Sequence, residues 1–151
     1  MFSDRLISFV ADYLIFIFPV MLAAIWFAGY RKAFYHMVLS AGFVWILSSL
    51  IKDFFYFPRP YIVDARIPTA RFFLDGSFPS GHTAVAFALS FSLFIYHRSL
   101  GLALLALSCI IAFGRVLGGV HSFLDVSGGI LLGLFTAYIA QIPLDTYHSK
   151  C

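Results

Sequence analysis

Three cations, two imidazoles and one carboxylate in this chain have the types and spacing to do chemistry together: Lys52, Arg59, Arg115, His82, His121 and Asp125. Arg offers a planar fork of donors that matches phosphate oxygens, and Lys adds a mobile point charge. Such a set suits a tetrahedral oxyanion, and phosphate is the natural one. The stretch Phe78-Pro79-Ser80-Gly81-His82 stands just before an apolar run. Ser80 is therefore expected to cap a helix, Gly81 to let backbone approach a ligand, and the free N–H groups to face an anion. His121 and Asp125 are four residues apart, which predicts one shared face of a helix beginning near Gly119 or Val120. The carboxylate would fix the imidazole tautomer and leave the far nitrogen as a nucleophile toward phosphorus, with His82 available to protonate the departing oxygen. No metal is expected, because zinc wants three or four close His, Cys or carboxylate ligands, and the acid here is better used as an orienter among three cations.

The elements that must position these residues are set by the solvent. Of 151 residues, 62% are hydrophobic and 11% charged, the charged ones being ten Lys or Arg and seven Asp with no Glu. A soluble domain carries about 25% charged residues, so a water-soluble globular fold is excluded. Apolar runs cover about 13–28, 33–51, 83–96, 100–113 and 126–144. With about 20 residues needed per crossing, they predict an all-α polytopic transmembrane bundle of about five spans, a single domain over 1–151. The short runs at 83–96 and 100–113 gain length where their ends meet a water-filled pocket. Pro19 is expected to kink the first span. Residues 52–82 hold seven charges and four prolines and form the one long polar loop.

Five spans bring Lys52, Arg59, Ser80, His82, Arg115, His121 and Asp125 to one side. The other side receives Arg31, Lys32, Arg98 and Lys150, with Asp145 as its acid. Positive charge in short loops marks the cytoplasm, so the site and the long loop face outward and the C-terminus inward. By raw count the loop side holds six Lys or Arg against four, and that orientation sets aside the cations assigned to phosphate. Basic residues scattered between apolar runs do not make a nucleic-acid surface. Cys109 and Cys151 form no disulfide framework or metal set, and the N-terminus lacks the pattern of a removable signal peptide. Asp4 and Asp12 are expected as helix-terminal or solvated charges. His36, His97 and His148 are expected at the basic interface, and Tyr56, Phe57 and Tyr61 as interfacial anchors. Gly129 and Gly133 are expected to allow close helix packing within the monomer.

Lys52-x6-Arg59-Pro60, Pro79-Ser80-Gly81-His82 and Arg115-x5-His121-x3-Asp125 resemble the three signature motifs of the type 2 phosphatidic acid phosphatase family of membrane lipid phosphatases. The resemblance covers residues 52–125. It departs from the family at Gly114, where relatives usually carry a Ser that could donate to phosphate, and many relatives carry six helices. The resemblance implies that His121 attacks phosphorus to form a phosphohistidine, that Asp125 orients it, and that His82 protonates the leaving group and then activates water. It also implies that Lys52, Arg59, Arg115, Ser80 and Gly81 cradle the phosphate, and that neither metal nor cofactor nor protein partner is needed. Arg66 and Arg71, outside the motifs, are candidates for a second phosphate, which together with an outward pocket favours undecaprenyl diphosphate as the lipid substrate. Phosphatidylglycerophosphate, phosphatidic acid and the 1-phosphate of lipid A are the alternatives, as is a non-catalytic protein that binds a phospholipid or anion.

Overall fold

The computed structural model describes residues 2–65, 67–71 and 75–148. Among them the chain forms helices and no strand. Helix α1 (Phe2–Asp12) runs through a short 3-10 turn (Leu14–Phe16) into α2 (Ile17–Phe27), and together they make one membrane-length segment, Ser3–Phe27. The break comes ahead of Pro19, which sits in the first turn of α2, where its missing N–H leaves no helix bond unmade. The first span therefore starts ten residues earlier than hydropathy implies (3 against 13). Asp12 has the look of a boundary in the sequence, but it lies buried inside the protein and paired with Arg115.

The α2 helix ends in a Schellman motif. Gly29 has φ +84°, Gly29 N–H donates to Trp26 O at 3.1 Å and Tyr30 N–H to Ile25 O at 3.1 Å, so two orphan carbonyls are satisfied as the chain turns. Arg31 and Lys32 open α3 (Arg31–Phe54), with the Arg31 guanidinium 3.4 Å from the centre of the Trp26 ring. The buried residues of α3, namely Ala33, His36, Met37, Ser40, Val44 and Ser48, recur at helical spacing on one stripe. The long loop holds one short helix, α4 (Pro60–Val63).

Helix α5 (Gly81–Tyr96) is the axis of the bundle, packed by α3, by α6 (Arg98–Leu117) and by α7 (Phe123–His148). At 16 residues it is shorter than the other crossings. Its middle is buried protein rather than lipid surface: Thr83, Ala84, Ala86, Phe87, Ala88, Leu89, Ser90, Ser92 and Leu93 are all enclosed. Small side chains let neighbours close in, and hydroxyls tie them: Ser90 Oγ lies 2.8 Å from Ser108 Oγ on α6, and Ser92 donates to Ser40 on α3 at 2.8 Å. Van der Waals contact and such hydrogen bonds are what associate helices where lipid is as apolar as leucine. Gly133 and Gly129 of α7 pack against the α5 backbone, a Cβ at Gly129 falling 2.7 Å from Ser80 O. This is the intramolecular seam the glycine spacing predicts.

Outward, the helices present bulky apolar side chains, Phe27 at 85% exposure, Phe54 at 79% and Leu131 at 70%, a surface only lipid would wet without cost. His36 departs from its expected interfacial place. It is fully enclosed, its Nε2 donating to Ala137 O of α7 at 2.7 Å, so it joins two spans. His97 does lie at that end, edge-on to Tyr30. Lys150 and Cys151 lie outside the described residues.

Candidate active site

The site gathers at the loop end of the bundle. Lys52 is in the last turn of α3 and Arg115 in the last turn of α6. Arg59 stands between Pro58 and Pro60, in the extended conformation (φ −74°, ψ 149°) that a following proline imposes. Gly81 and His82 begin α5, and His121 lies in the α6–α7 connection, just ahead of Asp125 in the first turn of α7. A cavity of about 260 Å³ opens among them, lined by Lys52, Arg59, Asp75, Gly81, His82, Arg115 and His121, with Ile15, Trp45, Ser48, Ser49 and Val85 toward the membrane. Five sequence-predicted cradle or catalytic side chains and Gly81 therefore meet at one cavity, although they span residues 52 to 121.

Asp75, which no motif flagged, bridges two of the cations. Lys52 Nζ donates to its Oδ2 at 2.8 Å, and Arg59 Nη2 donates to its Oδ1. Arg59 is 2% exposed and also bound to backbone, Nε to Asp75 O at 3.2 Å and Nη1 to Val120 O at 3.1 Å. Burial would raise the Asp75 carboxyl, but the hydrogen bonds and charges of Lys52 and Arg59 hold it below its ordinary value.

The α6–α7 connection explains how His121 is aimed. Helix α6 ends at Gly118 in a second Schellman motif: Gly119 has φ +75°, its N–H donates to Val116 O at 3.0 Å, and Val120 N–H to Arg115 O at 3.3 Å. A Cβ at Gly118 would lie 2.6 Å from that of Ala70, whose N–H, with that of Thr69, covers the Gly118 carbonyl. The glycine pair that suggests a helix start in the sequence is thus a helix stop. His121 is not on a helix face; it precedes α7, and Ser122 and Asp125 form a reciprocal cap. Ser122 N–H donates to Asp125 Oδ2 at 2.6 Å, and Asp125 N–H donates to Ser122 Oγ at 3.2 Å. Ser77 Oγ donates to the same Asp125 oxygen at 2.5 Å.

Asp125 lies behind the imidazole, its Oδ2 3.7 Å from His121 Nδ1, an ion-pair separation longer than a hydrogen bond. On the other side Arg59 Nη1 sits 3.4 Å from His121 Nε2. A guanidinium only donates, so Nε2 is the acceptor and the ring proton belongs on Nδ1, toward the carboxylate. Burial first, with Arg115 and Arg59 adding to it and Asp125 opposing, holds the His121 imidazole down at about 4. It is neutral at physiological pH.

Arg115 is 1% exposed. Its Nη1 donates to Asp12 Oδ1 at 2.8 Å and more weakly to Ala11 O at 3.4 Å, and its Nη2 to Arg71 O at 3.3 Å. Asp12 is thus no solvated terminal charge. An acid in the middle of a 25-residue apolar segment was the signal available, since intramembrane charge is retained only with a partner. Asp75 and Ser77 carried no comparable signal.

Ser80 is at the N-cap position, but its side chain makes no cap bond. Its Oγ accepts from Thr83 Oγ1 at 3.0 Å, and its backbone N–H donates to Asp125 O at 2.9 Å. It is fully buried and does not line the cavity. Nor does Arg71, whose guanidinium lies 5.2 Å over the Tyr13 ring. Arg66 lies outside the described residues.

Comparison with known proteins agrees with this architecture. The PAP2 superfamily model matches residues 29–143. Undecaprenyl-diphosphatase BcrC of Bacillus subtilis is 31% identical over 143 residues, covering 90% of this chain and 72% of that protein. The putative undecaprenyl-diphosphatase YbjG of Escherichia coli is 30% identical over 138 residues, 89% of this chain and 70% of its own length. The crystal structure of LpxE from Aquifex aeolicus superposes with a TM-score of 0.78 at 27% identity, over 93% of this chain and 86% of that one. With the family model matching most of its length and relatives at this level of identity, the chain belongs to the PAP2 superfamily and is a multi-pass membrane lipid phosphatase.

Proposed function

We propose that this protein removes the terminal phosphate of a membrane-embedded lipid diphosphate, undecaprenyl diphosphate, through a phosphohistidine on His121 and without a metal ion. The observation that carries the reading is the environment of His121: an unprotonated Nε2 at a cationic cavity, with Asp125 behind Nδ1. Nε2 attacks phosphorus as the bridging P–O bond breaks. His82, at the start of α5 on the same cavity, passes to the departing oxygen a proton that it takes up with the substrate phosphate. His82 then takes a proton from the water that cleaves the P–N bond, releasing inorganic phosphate and restoring the free imidazole. As His121 becomes cationic, the 3.7 Å gap to Asp125 is drawn shut. Lys52, Arg59 and Arg115 carry the charge of the phosphate oxygens, with the Gly81 backbone at the start of α5.

The diphosphate substrate is supported by the relatives named for it. Arg71 faces Tyr13 and lends that choice no support. The active site faces outward, with Arg31, Lys32 and Arg98 on the cytoplasmic side. Purified protein given undecaprenyl diphosphate, phosphatidylglycerophosphate, phosphatidic acid and lipid A is expected to release phosphate fastest from the first, with turnover retained in excess chelator. Labelled phosphate is expected to be trapped on the wild type in an acid-labile bond and to be absent from His121→Ala. Wild-type turnover by that variant would refute the mechanism, and faster release from phosphatidic acid would refute the substrate.

A further inference from the structure

Asp12 belongs to no motif, yet it is built into the site from another helix. Its Oδ1 accepts from Arg115 Nη1 at 2.8 Å, while its Oδ2 accepts from Arg71 N–H at 2.9 Å and from Ser8 Oγ at 3.3 Å. It is 8% exposed and Arg115 1%. One carboxylate thus joins α1, the long loop and the end of α6. The approach depends on Gly114, the residue before Arg115: a Cβ there would fall 2.7 Å from Val10 Cγ1 and 3.2 Å from Ala11 N, and backbone cannot yield as a side-chain tip can. With both Nη atoms of Arg115 engaged by Asp12, Ala11 and Arg71, Nε has no hydrogen-bond partner among the described residues although it is buried, and Arg115 lines the phosphate cavity.

We propose that Asp12 is a positioning residue for Arg115, holding the far edge of its guanidinium so that Nε is presented to the substrate phosphate, and that Gly114 is the gap that lets α1 deliver it. This rests on the phosphate site proposed above. Removing one member of a buried pair leaves the other charge uncompensated. An Asn at position 12 would also turn either its amide donors toward the Arg71 N–H or its oxygen away from Arg115.

The test is competitive inhibition by inorganic phosphate and by orthovanadate, alongside KM and kcat, on full-length protein in detergent with melting curves as the check on folding. Asp12→Asn and Gly114→Ala are expected to raise both inhibition constants and KM roughly ten- to hundred-fold, the factor for one lost hydrogen bond to a charged group, with a smaller fall in kcat. Asp12→Glu is expected to lie in between. In an Arg115→Ala background, Asp12→Asn is expected to change nothing further. Equal losses in both backgrounds, or unchanged inhibition constants, would make Asp12 merely structural and overturn the inference. If Asp12→Asn does not fold, Asp12→Glu decides by the same constants, wild-type values overturning the proposal. Arg115→Ala alone separates the two levels: unchanged phosphate inhibition would sink the phosphate site itself, whereas a raised constant with Asp12 variants inert would sink only the positioning role.

Discussion

At the scale of single residues, the chemistry turns on the state of His121. An imidazole ordinarily titrates at 6.5, and this one is held at about 4, so it remains an unprotonated nucleophile in mildly acidic medium. The acid limb of kcat/KM that reports the nucleophile is expected near pH 4, and a limb near 6.5 assigned to His121 would refute the depressed titration. The same shift bears on stability. Between 6.5 and 4 the unfolded chain binds a proton that the folded one does not, so the imidazole's contribution is complete above 6.5 and is lost as pH falls toward 4. Asp75, lowered from 3.8, acts in the same sense further down: its contribution is present above 3.8 and lost as pH falls through its folded value. Melting temperature is expected to drop across the upper interval, and less so in His121→Ala. Most of the reacting set was legible from residue types alone, because phosphate leaves few choices of donor. The acids were not. Asp75 reads as one more loop charge, and Asp12 as a span boundary, since hydropathy scores a charge without its partner.

At the scale of elements, two devices hold Asp125 and the second motif in place. Ser122 caps α7, and Ser122→Ala, which removes the hydroxyl acceptor but leaves the backbone donor to Asp125, is expected to cost about 1 kcal/mol and to lower kcat by loosening the carboxylate. Gly129 lets the Ser80 carbonyl pass over α7, where a Cβ would meet it at 2.7 Å. Gly129→Val is expected to cost about 1–3 kcal/mol by overpacking and, because His82 rides on α5 and Asp125 on α7, to reduce turnover. Both are checked by melting curves and steady-state kinetics. The glycine seam could be foreseen from its four-residue spacing. The helix stop at Gly119 could not, because a glycine pair between two apolar runs serves equally as the end of one helix or the approach to the next, and only the bonds to Val116 and Arg115 decide which.

At the scale of the molecule, five crossings were countable from apolar length, and the short α5 is explained by its place inside the bundle rather than against lipid. Sidedness rests on Arg31, Lys32 and Arg98 at the end away from the cavity. In a background without native cysteines, Asp64→Cys is expected to react with an impermeant maleimide on intact cells, and Ser99→Cys only after permeabilisation. The reverse pattern would invert the orientation. The five residues between α6 and α7, 118 to 122, have a consequence for how this chain can vary. Each is committed, to a helix stop, to the imidazole or to the next helix's cap, so there is no slack. One inserted residue would separate the Gly119 helix stop from the Ser122 cap and displace His121 from its place between Arg59 and Asp125. Loop length there is under the same constraint as residue identity. An alanine inserted after Val120 is expected to abolish turnover in the steady-state assay.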